Sequence, residues 1–271
     1  MPELPEVETT KRGITPFLVG ETIFSVKVRH PQLRAPITPN LSDLCAGQLI
    51  ISISRRAKYL LLHLSTGHIL IHLGMSGHLR VVDAQAPLRK HDHVDVCLTT
   101  GTILRYNDPR RFGLYLYLAE DPLQHLLFAH LGPEPLTDEF NSEYLFSQAR
   151  EKKQCIKSFI MNNKIVVGVG NIYAAESLFL AGIHPKISAG QVPYEQIHRL
   201  VFHIKQVLLQ AINVGGTTLR DFYAADGKPG YFSNALNVYG RQNKPCYSCN
   251  TSIEAITIAG RNSAFCPQCQ P

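Results

Sequence analysis

Apolar positions along this 271-residue chain change their period near residue 120. Pro5 to Leu18 reads as a helix. Val7, Ile14 and Leu18 keep helical spacing, and Glu6 and Glu8 fall in the first turn, where the helix dipole favours acids. From Thr22 to Leu118 the apolar residues come in short Val-, Ile- and Leu-rich runs that often alternate. The runs are Thr22–Val28, Leu49–Ile53, Tyr59–Leu64, His68–Leu73, His78–Val82, His93–Leu98, Thr102–Asn107 and Leu114–Leu118. Turn signals at Ser65–Gly67, Gly74–Gly77 and Thr99–Gly101 separate them. Short strands at such regular intervals predict an antiparallel sandwich or barrel, interrupted by a short helix near Leu41–Leu44.

Leu131-Gly-Pro-Glu-Pro135 is a stiff linker, and beyond it the period becomes helical. Helices are expected at about Asn141–Arg150, Cys155–Met161, Ile172–Leu180 and Pro193–Asn213. The last carries Ile197, Leu200, Val201, Ile204, Val207, Leu208 and Ile212 on one stripe. The expected division is a sandwich domain over 1–130, a linker over 131–136, a helical domain over 137–235 and a small terminal module over 236–271.

Composition adds two constraints. An apolar fraction of 45% supports a real core, while no apolar run reaches the length of a membrane helix. A net charge of +6 favours a polyanionic partner without proving one.

Four of the seven cysteines crowd the end of the chain as Cys246-x2-Cys249-x16-Cys266-x2-Cys269. Two CxxC pairs at this separation are a zinc spacing, and four thiolates close a tetrahedral site with no open position. One structural Zn2+ holding a β-hairpin is therefore expected. Its first strand is expected at Ile253–Ile258 and its turn at Ala259–Ser263, with Arg261 at the tip. Cys45, Cys97 and Cys155 are scattered in apolar or helical contexts and read as buried free thiols.

The opening Met1-Pro-Glu-Leu-Pro-Glu-Val-Glu8 fits neither a secretory leader nor a flexible tag. If Met1 is removed, Pro2 begins the chain with a secondary amine. An α-amino group has a pKa near ~8, so part of it is unprotonated at neutral pH and can attack a sugar C1′. Glu3 stands beside it to move the proton. The competing reading is that Pro2 is only a stiff start.

Other stretches carry a functional and an ordinary reading side by side. Ser54-Arg-Arg-Ala-Lys58 is a phosphate-facing cation cluster or a solvated basic turn. Arg110, Arg111 and Phe112 lie between Pro109 and Gly113, and Met75 lies between Gly74 and Gly77. Exposed apolar tips beside cations suit insertion into a base stack, and ordinary loop packing is the alternative. His91 and His93 would share a strand face, as phosphate or loop-backbone ligands rather than a metal dyad. Gly168-Val-Gly170-Asn171 enters a helix and can cradle a phosphate, with Lys152, Lys153, Lys157 and Lys164 supplying a cationic face. The Gly/Pro-rich stretch from Gly215 to Gly230 reads as a lid.

The set as a whole resembles the bacterial formamidopyrimidine-DNA glycosylase family. PELPEVET at 2–9, the lysine after Arg-Arg-Ala, DPRRFG at 108–113, GVGNIYAAESLF at 168–179, GGTTLRDF at 215–222, DGKPGYF at 226–232 and the arginine-bearing four-cysteine finger carry the resemblance. It implies an α+β multidomain fold: a β-sandwich behind an N-terminal helix, a helix–two-turn–helix domain and a zinc-finger hairpin. It implies a bacterial cytoplasmic, monomeric glycosylase and AP lyase that excises oxidised purines from double-stranded DNA, with no membrane partner or small-molecule cofactor.

By the same resemblance Pro2 is the nucleophile, Glu3 the acid that opens the deoxyribose, Lys58 a proton-transfer and phosphate residue, and Arg261 a lesion-phosphate ligand linked to δ-elimination. Met75, Arg110 and Phe112 fill the gap left by the flipped base, His91, Lys152 and Asn171 touch the DNA backbone, and residues around Thr217–Tyr223 form the lid. Arg220 stands where some relatives have lysine, which leaves fine damage preference open. The rival readings are the pyrimidine-preferring endonuclease VIII sister, a non-catalytic DNA-binding zinc ribbon and an RNA-binding or ribosome-associated module.

Overall fold

The first helix, α1 (Leu4–Leu18), starts where Glu6 Oε2 accepts from the Glu3 amide at 2.8 Å, and Pro5 sits in the opening turn. An acid that captures an orphan amide there also meets the positive end of the helix. The apolar side of α1, with Val7, Ile14 and Leu18, is buried in the largest core cluster.

The computed structural model describes residues 2–216 and 236–271. These form two compact units, 2–129 with 214–216 and 130–213 with 236–271. Met1 lies outside the described residues, as do most of the lid segment and Arg220.

In the first unit, β1 (Ile23–Val28), β6 (Asp92–Leu98), β7 (Thr102–Asn107) and β5 (His78–Asp83) pair in the order β1-β6-β7-β5. A second antiparallel sheet has the order β2-β3-β4-β8, from β2 (Ile50–Arg56), β3 (Tyr59–Leu64), β4 (His68–His72) and β8 (Leu114–Leu118). Helix α2 (Leu41–Cys45) follows β1. Leu60 and Leu62 from β3, Ile69 and Ile71 from β4, and Val94, Val96 and Leu104 from β6 and β7 join one core with α1. This is the sandwich the alternating runs predict.

Two boundaries differ from expectation. β2 continues through Ser54, Arg55 and Arg56, which pair with Leu61, Leu60 and Tyr59. The basic stretch is therefore mostly strand, with only Ala57 and Lys58 as the turn. Ala57 sits at φ +54°, the left-handed conformation that a two-residue hairpin requires at its first position. β6 begins at Asp92 because His91 also turns left-handed, at φ +72°.

In the second unit, α3 (Ser142–Ala149), α4 (Ile156–Ile160), α5 (Asn171–Ala181) and α6 (Tyr194–Asn213) precede a hairpin of β9 (Glu254–Ile258) and β10 (Arg261–Phe265). All seven stripe residues of α6 are buried. α5 is apolar nearly all round and ends at Gly182, whose φ of +69° allows the closing bonds Gly182 N to Phe179 O and Ile183 N to Leu178 O. The hairpin turn is tighter than expected. Ala259 and Gly260 both have positive φ and Arg261 pairs with Ile258, so Arg261 opens the second strand. Cys45 and Cys97 are buried, but Cys155, which precedes α4, is half-exposed. Among the described residues no helix is long and apolar enough to cross a membrane.

Candidate active site and nucleic-acid interface

Pro2 and Glu3 are both buried at the start of α1, with Glu3 only 2% exposed. Glu8, further along the helix, bonds Arg55 of β2 at 3.0 Å, and Lys11 and Arg12 reach the same carboxylate. Burial alone would raise the Glu8 pKa, but the bonds from Lys11, Arg55 and Arg12 outweigh it and hold the group below its ordinary range. Arg55 also donates to the Ala57 carbonyl at 2.9 Å. One arginine thus ties the turn carrying Lys58 to the helix carrying Pro2 and Glu3.

Lys58 also acts on His72. Burial pushes the His72 imidazole down to about 4, with Lys58 and Arg34 adding to the fall and Asp108 opposing it. A neutral ring suits its geometry, since Nδ1 accepts from the Gly74 amide at 3.0 Å, next to Met75.

Met75 and Phe112 are exposed as expected, at 38% and 46%. The Arg110 guanidinium carbon lies 5.1 Å from the centre of the Phe112 ring. The two loops meet along their backbones. A Cβ on Gly74 would fall 2.5 Å from the Phe112 carbonyl carbon, and one on Gly113 would collide with the Tyr106 hydroxyl. Beneath them lies Asp108, fully buried, which opens the DPRRFG motif but has no role assigned from the sequence. His93 is buried and bonds the Asp108 carbonyl through Nε2 at 2.8 Å, so it serves the loop backbone. His91 is half-buried, its carbonyl accepting from the Asp108 amide at 3.1 Å. His91 lies just before β6 rather than on it, yet its ring still meets that of His93 edge-on, with centroids 6.1 Å apart.

In the second unit, Asn171 occupies the first position of α5 after Gly168 and Gly170. Its Nδ2 donates to the Asn262 carbonyl at 3.1 Å, which places it beside the residue that follows Arg261. Lys152, Lys153 and Lys164 are exposed. Lys157 is not part of that cationic face: it is 1% exposed and donates to Asn171 Oδ1 at 2.7 Å, Ser263 Oγ at 2.6 Å and Asn262 O at 3.3 Å. Its place on the buried side of α4, next to Ile156, was the available signal. Glu176 has a role that the sequence motif at 168–179 does not specify. It accepts from the amides of Asn237, Val238 and Tyr239 at 2.7 to 2.9 Å, anchoring the approach to the finger. A lone acid on an otherwise apolar helix was its signal.

Cys246, Cys249, Cys266 and Cys269 place all four Sγ atoms within 4.8 Å of one another, with individual separations of 3.4, 3.5 and 3.9 Å. A tetrahedron of ~2.3 Å Zn–S bonds has edges of about 3.8 Å. The Ser248 amide points at Cys246 Sγ at 3.4 Å, a stabilising donor for a thiolate. Donor type, number and spacing fit one structural Zn2+. It is the only cluster of three or more such ligands among the described residues.

Three family profiles match along the chain: the formamidopyrimidine-DNA glycosylase N-terminal domain at residues 1–115, the H2TH domain of the same enzyme at 131–223, and a zinc finger found in FPG and IleRS at 243–271. A formamidopyrimidine-DNA glycosylase of Legionella pneumophila (strain Lens) is 62% identical, covering 100% of this chain and 99% of the relative. One from Hydrogenovibrio crunogenus is 55% identical over 100% and 96% of the two chains. Among solved structures, a Lactococcus lactis FPG mutant in complex with a Fapy-dG containing DNA aligns with TM-score 0.93 at 35% identity, covering 99% of each chain. The MutM (FPG) protein from Thermus thermophilus aligns with TM-score 0.89 at 35% identity, covering 99% of this chain and 98% of that one. The chain belongs to the formamidopyrimidine-DNA glycosylase family.

Proposed function

We infer that this protein is a base-excision-repair DNA glycosylase with AP lyase activity, acting on oxidised purines such as 8-oxoguanine opposite cytosine and formamidopyrimidines in double-stranded DNA. The observation that carries the reading is a proline at position 2 beside a buried glutamate, both at the head of a helix anchored to the Lys58 turn.

With Met1 removed, the Pro2 nitrogen is a secondary amine. It attacks C1′ as the bond from C1′ to the damaged base breaks, and Glu3 protonates the ring oxygen as the deoxyribose opens. The resulting iminium acidifies the C2′ protons. Loss of one expels the 3′ phosphate, and a second elimination expels the 5′ phosphate, which gives β,δ-elimination. Water then hydrolyses the iminium, releasing the unsaturated sugar remnant as an aldehyde and regenerating the Pro2 amine. A water nucleophile at C1′ would stop at base removal, so the amine is what makes the enzyme a lyase.

Lys58 assists proton transfer and binds phosphate, and Arg261 binds the lesion phosphate. His91, Lys152 and Asn171 hold the DNA backbone. C1′ is inaccessible in stacked duplex, so the base must be flipped, at a cost of a few kcal/mol. Met75 and Phe112 entering the gap, and Arg110 pairing with the orphaned cytosine, offset part of that cost. The zinc is structural, and no further cofactor enters these steps. The protein works as a monomer in the bacterial cytoplasm, where its DNA lies.

Borohydride trapping on a duplex with 8-oxoguanine opposite cytosine tests this reading. The processed protein should form a covalent adduct that Pro2→Gly loses, and an oxidised-pyrimidine duplex should give less. No adduct from the processed protein, or an undiminished one from Pro2→Gly, refutes the mechanism.

A further inference from the structure

We propose that Asp108 is a positioning residue that locks Met75, Arg110 and Phe112 into one rigid wedge, so that excision of a stacked base depends on it more than cleavage at an abasic site does. The proposal rests on the reading of those three residues as gap fillers.

The wedge comes from two loops far apart in sequence, and one buried carboxylate joins them. Asp108 Oδ1 accepts from Ser76 Oγ at 2.8 Å, and the same Ser76 Oγ accepts from the Arg110 amide at 3.2 Å. Asp108 Oδ2 accepts from the Gly113 amide at 2.9 Å and from the Tyr106 hydroxyl at 3.1 Å. The Asp108 carbonyl accepts from His93 Nε2 at 2.8 Å and from the Arg111 amide at 3.3 Å. Ser76 adjoins Met75, Asp108 and Gly113 bracket Arg110 and Phe112, and Arg111 between them is held at φ +56°.

All three tip residues thus stand on neighbours bonded, directly or through Ser76, to one aspartate. The Gly74 and Phe112 backbones touch, so no side chain separates the loops. Buried bonds to a charged acceptor are the strong ones, and leaving their donors unpaired is costly.

Stiffness is what this device supplies. A side chain that displaces a stacked base must not yield as it enters, and a tip on a loose loop would yield. At an abasic site there is no base to unstack, so a softened wedge costs less.

The test compares two reactions of each preparation under single-turnover conditions: excision from a duplex with 8-oxoguanine opposite cytosine, and cleavage of a preformed abasic duplex. Asp108→Asn keeps the size of the side chain but turns an amide NH2 toward groups that donate. It should slow excision roughly ten-fold or more while abasic cleavage stays within about three-fold. Ser76→Ala removes only the bridge and should shift the ratio in the same direction by less. It decides the matter if Asp108→Asn does not fold.

Equal losses in both reactions would make Asp108 a purely structural residue and overturn the proposal, as would no change in either. Wild-type protein inert on both duplexes would overturn the functional reading, and this proposal with it.

Discussion

The Met75/Phe112 end of the first unit and the finger of the second are held by opposite means. The wedge loops stand on a large apolar sandwich, and their polar ties converge on one buried carboxylate. The finger has a small core of Ala175, Phe179, Val238, Ile253 and Ala264, with Cys246 and Cys266 as part of it. A two-stranded hairpin is marginal in water by itself. The metal must hold the finger, whereas hydrogen bonds only refine what packing already holds in the sandwich. Each mount should therefore fail under a different stress.

The largest expected effect separates the mounts outright. Structural zinc sites are worth roughly 10–16 kcal/mol of apparent binding free energy. Chelation, or Cys249→Ser, should release zinc, unfold β9 and β10 and abolish strand cleavage, while the thermal transition of the sandwich stays in place. Calorimetry with zinc analysis checks this, and a sandwich that melts early on chelation breaks the comparison.

Acid should weaken the other mount as well. His72 has a folded pKa lowered from 6.5 to about 4, so the unfolded chain takes up a proton that the folded one refuses. Its contribution is complete above pH 6.5 and is lost as pH falls toward 4, amounting to about 3 kcal/mol. Protonation also removes the acceptor for the Gly74 amide. His72→Asn should reduce the slope of the stability profile in this window, measured by denaturant unfolding at several pH values, with the remainder carried by His78 and His93, which burial also lowers. The carboxylates with lowered pKa, Glu8, Asp92 and Asp95, lose their share only at more acid pH.

The smallest effect concerns Ala57 at φ +54°. A left-handed alanine costs roughly 1–2 kcal/mol, of which glycine recovers part after its own entropy loss. Ala57→Gly should stabilise the sandwich by up to about 1 kcal/mol in equilibrium unfolding, with cleavage little changed.

The same contrast explains what could be read from the chain. The zinc ligands sit in two local pairs and the strands alternate locally, so the sequence showed both. Asp108 and Glu176 lie in recognisable motifs and Lys157 in a cationic run, but what each does becomes visible only when the fold brings in its partners. Ser76 is 32 positions from Asp108, Val238 is 62 from Glu176, and Ser263 is 106 from Lys157. Turn positions differ from the expected ones for a related reason. Ser54–Arg56 carry polar side chains, yet pairing with β3 makes them strand. Ala259 tolerates the left-handed conformation that closes the finger in two residues.

The most direct measurement is to map the reduced adduct. After borohydride trapping on abasic DNA and proteolysis, mass spectrometry should find the sugar remnant on the Pro2 nitrogen of the amino-terminal peptide. A remnant on Lys58 or another internal lysine, with Pro2 unmodified, would contradict the amine-terminus mechanism.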